Sequence, residues 1–470
     1  MSKKDYYPVQ DKTPTKSFWD SENDPFRQFR STPELPYFTD MVIVGSGFSG
    51  SSISYYLSQY DSPPSCLLLE ARDLCSGATG RNGGHCKPEY YQHEEFFRSR
   101  YGAKGSADIA NFEYKNLQAV KELIETNQID CDFVLSRAFN VEVTKSGAEA
   151  AKKNYRKFLE NPYMKMKDDL FWIDEKQAEG VTEVNGALSA VSYTTGQLWP
   201  YKLVKALLEI ALKHPSDFLN VQSHTLVKNV KTLSDASFVV QTNRGDVRTK
   251  KVVLCTNAYT PALERGLHTK IVPVKGTVAH IVPLDENHRK TSVGPYLNNS
   301  YIITPEGDYE YLINRPDGSV VVGGAEEVFG HDIEAWIDNV DDTTLFDHPV
   351  ESYYNKFMSR MFRSWKSTET TVDYLWTGVM GYTFDSLPFV GEVPGESNKF
   401  VSAGFHGHGM PRVLLCSKAI AECIMEGKNI KETDIPESFH LTTDRLNDET
   451  VNSIEEEAAY YGKKSTKAKL

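Results

Sequence analysis

Short apolar runs and helical stripes alternate near the beginning of the chain. Met41-Val-Ile-Val44 is a continuous apolar run followed directly by Gly45, which is typical of a buried strand. An apolar stripe at helical spacing follows, and it consists of Ile53, Tyr56, Leu57 and Tyr60. Cys66-Leu-Leu-Leu-Glu70 predicts a second buried strand. The pattern therefore predicts a strand, a turn, a helix and a strand within about 30 residues.

The same periodicities predict the elements of the remaining chain. From about residue 95 to 190 the pattern is helical and charged. The candidate helices lie near 105 to 127, 146 to 160, 204 to 211 and 411 to 424. The candidate strands lie near 217 to 221, 226 to 231, 237 to 241, 251 to 255, 309 to 314, 319 to 323 and 399 to 402. Alternation between 268 and 325 predicts an antiparallel sheet that is separate from the first sheet.

The turn after the first strand carries a glycine motif. Gly45-Ser-Gly47-Phe-Ser-Gly50 matches G-x-G-x-x-G, in which glycines allow a tight turn, close approach of a pyrophosphate and close packing of helix on strand. Glu70 ends the next strand, where a carboxylate accepts hydrogen bonds from ribose hydroxyls. The alternative is a glycine-rich turn with a surface glutamate. The motif predicts a dinucleotide site but does not distinguish NAD from FAD.

Three later segments resemble one family of flavin enzymes. Cys75-Ser-Gly-Ala-Thr-Gly-Arg-Asn-Gly-Gly-His85 resembles a loop of the D-amino-acid-oxidase-like (DAO) family, whose members include glycine oxidase and sarcosine oxidase. Val252 to Tyr259 resembles its second nucleotide-contacting strand and turn. Gly381 to Gly391, followed by Ala403-Gly-Phe-His-Gly-His-Gly409, resembles its C-terminal flavin-binding segment. The resemblance extends from about residue 35 to 430.

The resemblance implies an α/β fold in which a glutathione-reductase-like, FAD-binding Rossmann domain is interleaved with an α+β substrate domain containing an antiparallel sheet. The expected FAD-binding domain is discontinuous and comprises 37–95, 191–265 and 371–435. The expected substrate domain comprises 96–190 and 266–370. Residues 1–36 form an N-terminal arm whose aromatic residues suggest packing on the body, and 436–470 form a C-terminal tail.

The resemblance also implies which residues hold FAD. Those from the turn, the second strand and the 75–85 loop are Gly45, Gly47, Phe48, Ser49, Gly50, Glu70, Ala71, Ala78, Thr79, Arg81, Asn82, Gly83, Gly84 and His85. Those from later segments are Val227, Thr256, Asn257, Gly404, His406, Gly407, His408, Gly409 and Met410. Arg81 is expected to anchor its loop. The final helix is expected to point its N-terminus at the flavin, where a positive helix end stabilises the reduced ring.

The implied reaction is hydride transfer from an amine or amino-acid carbon to the flavin, which leaves an imine that water hydrolyses. The catalytic candidates are His406, His408, Arg412, Tyr311 and Arg315. Tyr309, Tyr311, Ile313 and Arg315 alternate along one strand and share a face. Arg315 or Arg412 would bind a substrate carboxylate, with a surface ion pair as the alternative for each. Each histidine could instead be a satisfied loop residue.

The chain departs from sarcosine oxidases at two positions. Met380 stands where those enzymes attach flavin through cysteine, so noncovalent FAD is expected, with His85 or Cys86 as the remaining attachment points. Pro411 stands where they carry a carboxylate-binding lysine, so sarcosine is not transferred as the substrate.

Composition narrows the partners. A formal net charge of −12 argues against nucleic acid, and no apolar run reaches the roughly 20 residues that span a bilayer. Seven scattered cysteines without a C-x-x-C pair suggest neither a disulfide framework nor a metal site. Ala468-Lys469-Leu470 is a conservative variant of the Ser-Lys-Leu address, which predicts an import receptor as partner and a peroxisomal location, with cytoplasm as the alternative.

Three readings of the activity remain open. The leading reading is an oxidase that passes electrons to O2 and forms hydrogen peroxide. The second is a dehydrogenase with another acceptor. The third is a noncatalytic flavoprotein that serves as an assembly or binding factor, and an NAD-dependent enzyme is a more distant alternative.

Overall fold

The computed structural model describes residues 6–305, 308–450 and 452–467. The strands within these residues are β1 (Phe38–Val44), β2 (Cys66–Leu69), β3 (His85–Cys86), β4 (Val134–Glu142), β5 (Phe171–Ile173), β6 (Ser189–Gln197), β7 (Leu219–Gln222), β8 (Val227–Thr232), β9 (Phe238–Thr242), β10 (Gly245–Leu254), β11 (Ile271–Pro283), β12 (Ser300–Thr304), β13 (Glu310–Asn314), β14 (Val320–Gly323), β15 (Thr370–Thr383), β16 (Phe389–Glu392) and β17 (Lys399–Ala403).

The α-helices of the same residues are α1 (Phe48–Leu57), α2 (Glu94–Thr126), α3 (Lys145–Glu160), α4 (Glu175–Thr182), α5 (Pro200–Leu212), α6 (Thr260–Leu263), α7 (Glu326–Phe329), α8 (Ile333–Trp336), α9 (Val350–Asn355), α10 (Phe357–Met361), α11 (Val413–Glu426), α12 (Thr443–Leu446) and α13 (Ser453–Lys467). Short 3-10 helices lie at Phe18–Asp20, Pro25–Gln28, Ala78–Arg81, Lys167–Asp169, Asn257–Tyr259, Arg265–Leu267, Arg363–Trp365, Ile430–Glu432 and Glu437–Phe439. Among the described helices, none is both long and apolar enough to cross a bilayer.

The first sheet contains the predicted glycine motif. Its strands have the order β16-β17-β10-β1-β2-β7, and β17, β10, β1, β2 and β7 run parallel. The apolar strand β2 is buried along its whole length, as expected for a parallel sheet covered on both faces. Helices α1, α5 and α11 cover one face, where their apolar residues join one core. The carboxyl ends of β1, β2 and β10 consequently meet at one edge, where ligands bind in such sheets.

The second sheet lies apart from the first. Its order is β15-β11-β14-β13-β12-β4-β6-β3, with β5 paired to β6. All its pairs are antiparallel except β12 with β4. The predicted antiparallel sheet between 268 and 325 is therefore present. It also includes β4 and β5, which lie in the stretch that the periodicity predicts to be helical.

The expected domain boundaries stay a prediction, although the strands give their context. Strands β6 and β15 both belong to the second sheet, whereas the expected boundaries assign most of each strand to the FAD-binding domain. In the arm, Phe18 and Trp19 are buried in the main core, and Phe26 and Phe29 pack against it. The predicted peroxisomal signal, Ala468-Lys469-Leu470, lies outside the described residues.

Candidate active site

A cavity of about 630 Å³ lies between the two sheets. The carboxyl ends of β1, β2 and β10 line one side, and β11, β13 and β15 line the other. Its volume falls within the roughly 300–1,000 Å³ that is usual for ligand sites. The predicted cofactor residues that line it are Gly45, Gly47, Phe48, Ser49, Glu70, Ala71, Ala78, Thr79, Arg81, Asn82, Gly83, His85, Val227, Thr256, Asn257, His406, Gly407, His408, Gly409 and Met410.

Glycine is required at the turn for steric reasons. A Cβ on Gly45, whose φ is +105°, would lie 2.6 Å from the carbonyl oxygen of Cys255. A Cβ on Gly50 would lie 2.0 Å from the carbonyl oxygen of Gly45. Gly50 does not line the cavity, so its part is to let α1 pack on the turn. The glycines of the turn and the N-terminus of α1 together form a floor, which fits a pyrophosphate at a helix N-terminus.

Glu70 lies beside this turn. Its Oε2 accepts hydrogen bonds from the backbone N–H of Ser46 at 3.0 Å and from the Ser46 hydroxyl at 2.8 Å. Its Oε1 accepts one from the N–H of Arg72 at 3.1 Å. These contacts fix the carboxylate at the cavity wall, as the position after β2 predicts.

The 75–85 loop lines the cavity from the glycine turn, where Thr79 accepts a hydrogen bond from the N–H of Phe48, to β13. Arg81 is buried, and its Nε donates to the carbonyl of Thr377 at 2.5 Å. Burial lowers the pKa of Arg81 to about 10. A Cβ on Gly83 would lie 2.3 Å from Cε2 of Tyr311, so the loop lies directly against β13. Gly84 does not line the cavity, and a Cβ there would lie 2.8 Å from Cδ1 of Ile313.

The C-terminal glycine-rich turn is held by the side chain of Asn257, which follows β10, and by the backbone of Thr383 at the end of β15. The Oδ1 of Asn257 accepts the N–H groups of Gly404 at 3.0 Å and Phe405 at 3.1 Å. The Nδ1 of His406 accepts the N–H of Thr383 at 3.0 Å, so the proton of the neutral ring is on Nε2. Burial lowers the pKa of His406 to about 3, and the ring is therefore neutral at physiological pH. Gly404 supports the turn without lining the cavity.

Two catalytic candidates share one buried carboxylate. The carboxylate of Glu113 on α2 accepts three hydrogen bonds. The donors are Nε of Arg412 at 2.7 Å, Nε2 of His408 at 3.0 Å and the backbone N–H of Glu89 at 2.7 Å. Burial raises the pKa of Glu113, but His408 and Arg412 together outweigh it and hold that pKa below its ordinary value. Glu113 was not found from the sequence, because it precedes its partners by almost 300 positions and lies in no motif.

The structure separates the remaining candidates. Tyr311 lines the cavity together with Tyr309, whereas Ile313 belongs to the core. Arg315 follows the end of β13, does not line the cavity, and donates to Asp132 at 2.5 Å. Its guanidinium also lies over three aromatic rings, those of Phe18, Trp19 and Trp199.

Lys87 is a cavity residue that the sequence analysis missed. Its side chain is 4% exposed, and among the described residues its Nζ has no hydrogen-bond partner. The Nζ lies 4.9 Å from the centre of the Tyr193 ring. Burial lowers the pKa of Lys87 to about 7. Its place two residues after His85, at the end of the 75–85 loop, was the available signal.

Carboxyl groups line another part of the cavity. Burial, and then the neighbouring Glu310, raise the pKa of Glu326 well above its ordinary value. Burial also raises the pKa of Glu457 to about 7. Glu457 belongs to α13, which brings Tyr460 and Tyr461 to the cavity as well. The segment predicted as a C-terminal tail thus contributes part of the wall.

The two possible points of covalent attachment differ. His85 lines the cavity, while Cys86 does not, and its Sγ donates to the carbonyl of Met410 at 3.6 Å. Burial raises the pKa of Cys86 to about 12, so little thiolate is present. Met380 lines the cavity.

Comparison with known proteins gives a consistent result. Residues 40–423 match the family model DAO, described as FAD dependent oxidoreductase. A gamma-glutamylputrescine oxidoreductase of Escherichia coli K12 is 23% identical over 394 residues, which are 82% of this chain and 83% of that protein.

Several solved structures have a similar fold. The glycine oxidase from Geobacillus kaustophilus is similar with a TM-score of 0.68 and 20% identity, over 87% of this chain and 99% of that chain. The L-proline dehydrogenase from P. horikoshii is similar with a TM-score of 0.64 and 20% identity, over 84% of this chain and 95% of that chain. These likenesses confirm the expected fold class.

Proposed function

The chain belongs to the DAO family of FAD-dependent oxidoreductases and its cofactor is FAD, and we propose that it oxidises the carbon–nitrogen bond of an amine or amino acid. The observation that carries the proposal is the cavity itself. One continuous space joins the glycine turn of the first sheet to the tyrosines and ionisable groups of the second. A cofactor at the turn and a small substrate at the second sheet would share this space.

The residues fit FAD at three places. The backbone of Gly45 to Gly50 would hold the pyrophosphate, and Glu70 would accept hydrogen bonds from the ribose hydroxyls. The 75–85 loop and the turn from His406 to Met410 would hold the ring system, without a covalent bond. FAD, when bound, supplies a hydride acceptor, and we propose O2 as the final acceptor with hydrogen peroxide as the product.

The protein residues would bind and orient the substrate. Tyr309 and Tyr311 line the cavity and offer flat apolar surface beside the 75–85 loop. Arg412 and His408 share the carboxylate of Glu113, so they would position the final turn instead of carrying free charge to the substrate. Arg315 is paired with Asp132 and does not line the cavity, so it would not bind the carboxylate of the substrate.

We infer that Lys87 binds the substrate carboxylate, the role for which Arg315 or Arg412 was the sequence prediction. It is a buried cation at the cavity wall with no hydrogen-bond partner among the described residues. A buried ammonium is costly unless it is paired, and a substrate carboxylate would pair it.

Replacing Lys87 by methionine is expected to raise KM for an amino-acid substrate by about 10- to 100-fold, since a hydrogen bond to a charged group contributes roughly 1.5–3 kcal/mol. In the wild type, Lys87 has a pKa of about 7 and loses its charge as the pH rises through 7, so affinity for the carboxylate should fall above that pH. Steady-state kinetics between pH 6 and 9 would measure both effects.

Lys104 provides the matched control for this variant. Its side chain is 71% exposed and pairs with Asp108, so Lys104→Met should leave KM unchanged. An unchanged KM in Lys87→Met would remove Lys87 from substrate binding.

Anaerobic reduction of the flavin tests the proposed activity. The purified holoprotein, mixed with a panel of amines and amino acids, should lose its visible absorbance with at least one of them, and readmitted air should restore the absorbance and produce peroxide. Bleaching that air reverses only slowly would favour a dehydrogenase. No bleaching by any compound would favour a noncatalytic flavoprotein and reject the proposal.

A further inference from the structure

The N-terminal arm lines the cavity at one point and contacts its wall at a second. Near its beginning, Tyr7 and Pro8 line the cavity together with Leu226, Val227 and Leu263. The Tyr7 hydroxyl donates to the carbonyl of Lys228 at 2.5 Å. Tyr6, which precedes it, is buried and stacks on His268 with ring centres 4.9 Å apart. The first contact point is therefore anchored to β8 and to the segment that follows α6.

The second contact point lies 8 to 12 residues later, on the 75–85 loop. The hydroxyl of Ser17 donates to the carbonyl of Gly80 at 2.9 Å. The Nη2 of Arg81 donates to the hydroxyl of Thr15 at 2.5 Å. The indole N–H of Trp19 donates to the carbonyl of Asn82 at 2.6 Å. Three consecutive loop residues are thus each held by one arm residue.

The segment between the two points has a different character. Residues 10–13 are exposed, whereas Tyr6, Pro8, Ser17, Phe18 and Trp19 are buried. An exposed connection therefore links two buried contact points. The first end lies beside Val227, in the part of the cavity that would hold the adenosine half of a dinucleotide. The second end lies on the 75–85 loop, which reaches Tyr311 at the part that would hold the ring system.

We propose that the N-terminal arm is part of the FAD site. Tyr7 and Pro8 cover the adenosine end of the cofactor, and Thr15, Ser17 and Trp19 fix the 75–85 loop against the flavin end. The arm is encoded before the first strand and before the segment that matches the family, which begins at residue 40. The inference rests on FAD as the cofactor and is independent of the substrate, so it can fail while the proposed activity stands.

Cofactor titration tests the two contact points separately. FAD is removed from the full-length protein, and the dissociation constants of FAD and of ADP, which carries only the adenosine half, are measured with the apoprotein by flavin fluorescence and by competition. Tyr7→Ala should raise the dissociation constant of FAD by about 10-fold, the usual effect of removing an aromatic group that contacts a base. It should raise the dissociation constant of ADP by a similar factor. Ser17→Ala should weaken FAD binding several-fold and leave ADP binding unchanged.

Lys12→Ala is the matched control, because Lys12 lies in the exposed connection. It should leave both constants at their wild-type values. Circular dichroism and the melting temperature of each apoprotein show whether a variant is folded. Wild-type FAD affinity in both folded variants, Tyr7→Ala and Ser17→Ala, would overturn the proposal. Equal loss of FAD and ADP binding in Ser17→Ala would also overturn it, since it would indicate general destabilisation.

Discussion

Replacement of Gly50 by alanine is expected to yield protein without bound FAD. The new Cβ would lie 2.0 Å from the carbonyl oxygen of Gly45 and 3.2 Å from Cγ2 of Ile43. Neither contact involves a long flexible side chain, so α1 must move away from the turn. The displacement would open the pyrophosphate floor, and we expect a stability loss of more than about 4 kcal/mol, at the upper end for single substitutions. Visible flavin absorbance per polypeptide and the melting temperature are the measurements.

Gly180 offers a matched control, because it also lies inside a helix. A Cβ on Gly180 in α4 meets no atom within 4 Å. Gly180→Ala should therefore keep full flavin content and gain up to about 1 kcal/mol, the difference in helix propensity. Full flavin content in Gly50→Ala would contradict this prediction. It would mean that α1 packs on the turn without a glycine at this position.

The parts of the site that can be predicted from local sequence are those encoded by neighbouring residues. The 75–85 loop is predicted only by the family resemblance, whereas the turn at Gly45 and the carboxylate of Glu70 each follow a buried strand directly, so their pattern is visible in one window. The same holds for β1, α1 and β2, whose predicted bounds differ from the observed ones by a few residues. The family resemblance extends this to segments that are far apart in sequence.

The parts that it misses depend on pairing across the chain. Strand β4 forms nine residue pairs with β6, and no pattern within 134–142 announces that partner. Arg315 continues the alternation of β13, but the strand ends at Asn314 and the side chain turns to Asp132. Lys87 and Glu113 are ordinary charged residues in sequence, and only the fold buries Lys87 at the cavity and Glu113 against His408 and Arg412.

The buried position of Glu113 has the second large consequence. Glu113→Ala is expected to lower the free energy of unfolding by about 3–5 kcal/mol, the usual effect of breaking a buried ion pair. Arg412 is 2% exposed, and the one side-chain hydrogen bond that its guanidinium would keep among the described residues is to the carbonyl of Ser386 at 3.2 Å. His408 and the N–H of Glu89 would lose an acceptor as well. Urea unfolding of the holoprotein would measure the loss.

The pH dependence of this difference identifies its electrostatic origin. The pKa of Glu113 is held below its ordinary 4.5, so its contribution is present above that pH and is lost as the pH falls through the lowered value. The gap between wild type and Glu113→Ala should therefore be constant near neutrality and narrow under acid conditions. Glu125→Gln, on the same helix in an exposed pair with Lys121, should change stability by less than about 0.5 kcal/mol. A loss below about 1 kcal/mol in Glu113→Ala would mean that Arg412 finds water or another acceptor, and that the carboxylate does not hold the final turn in place.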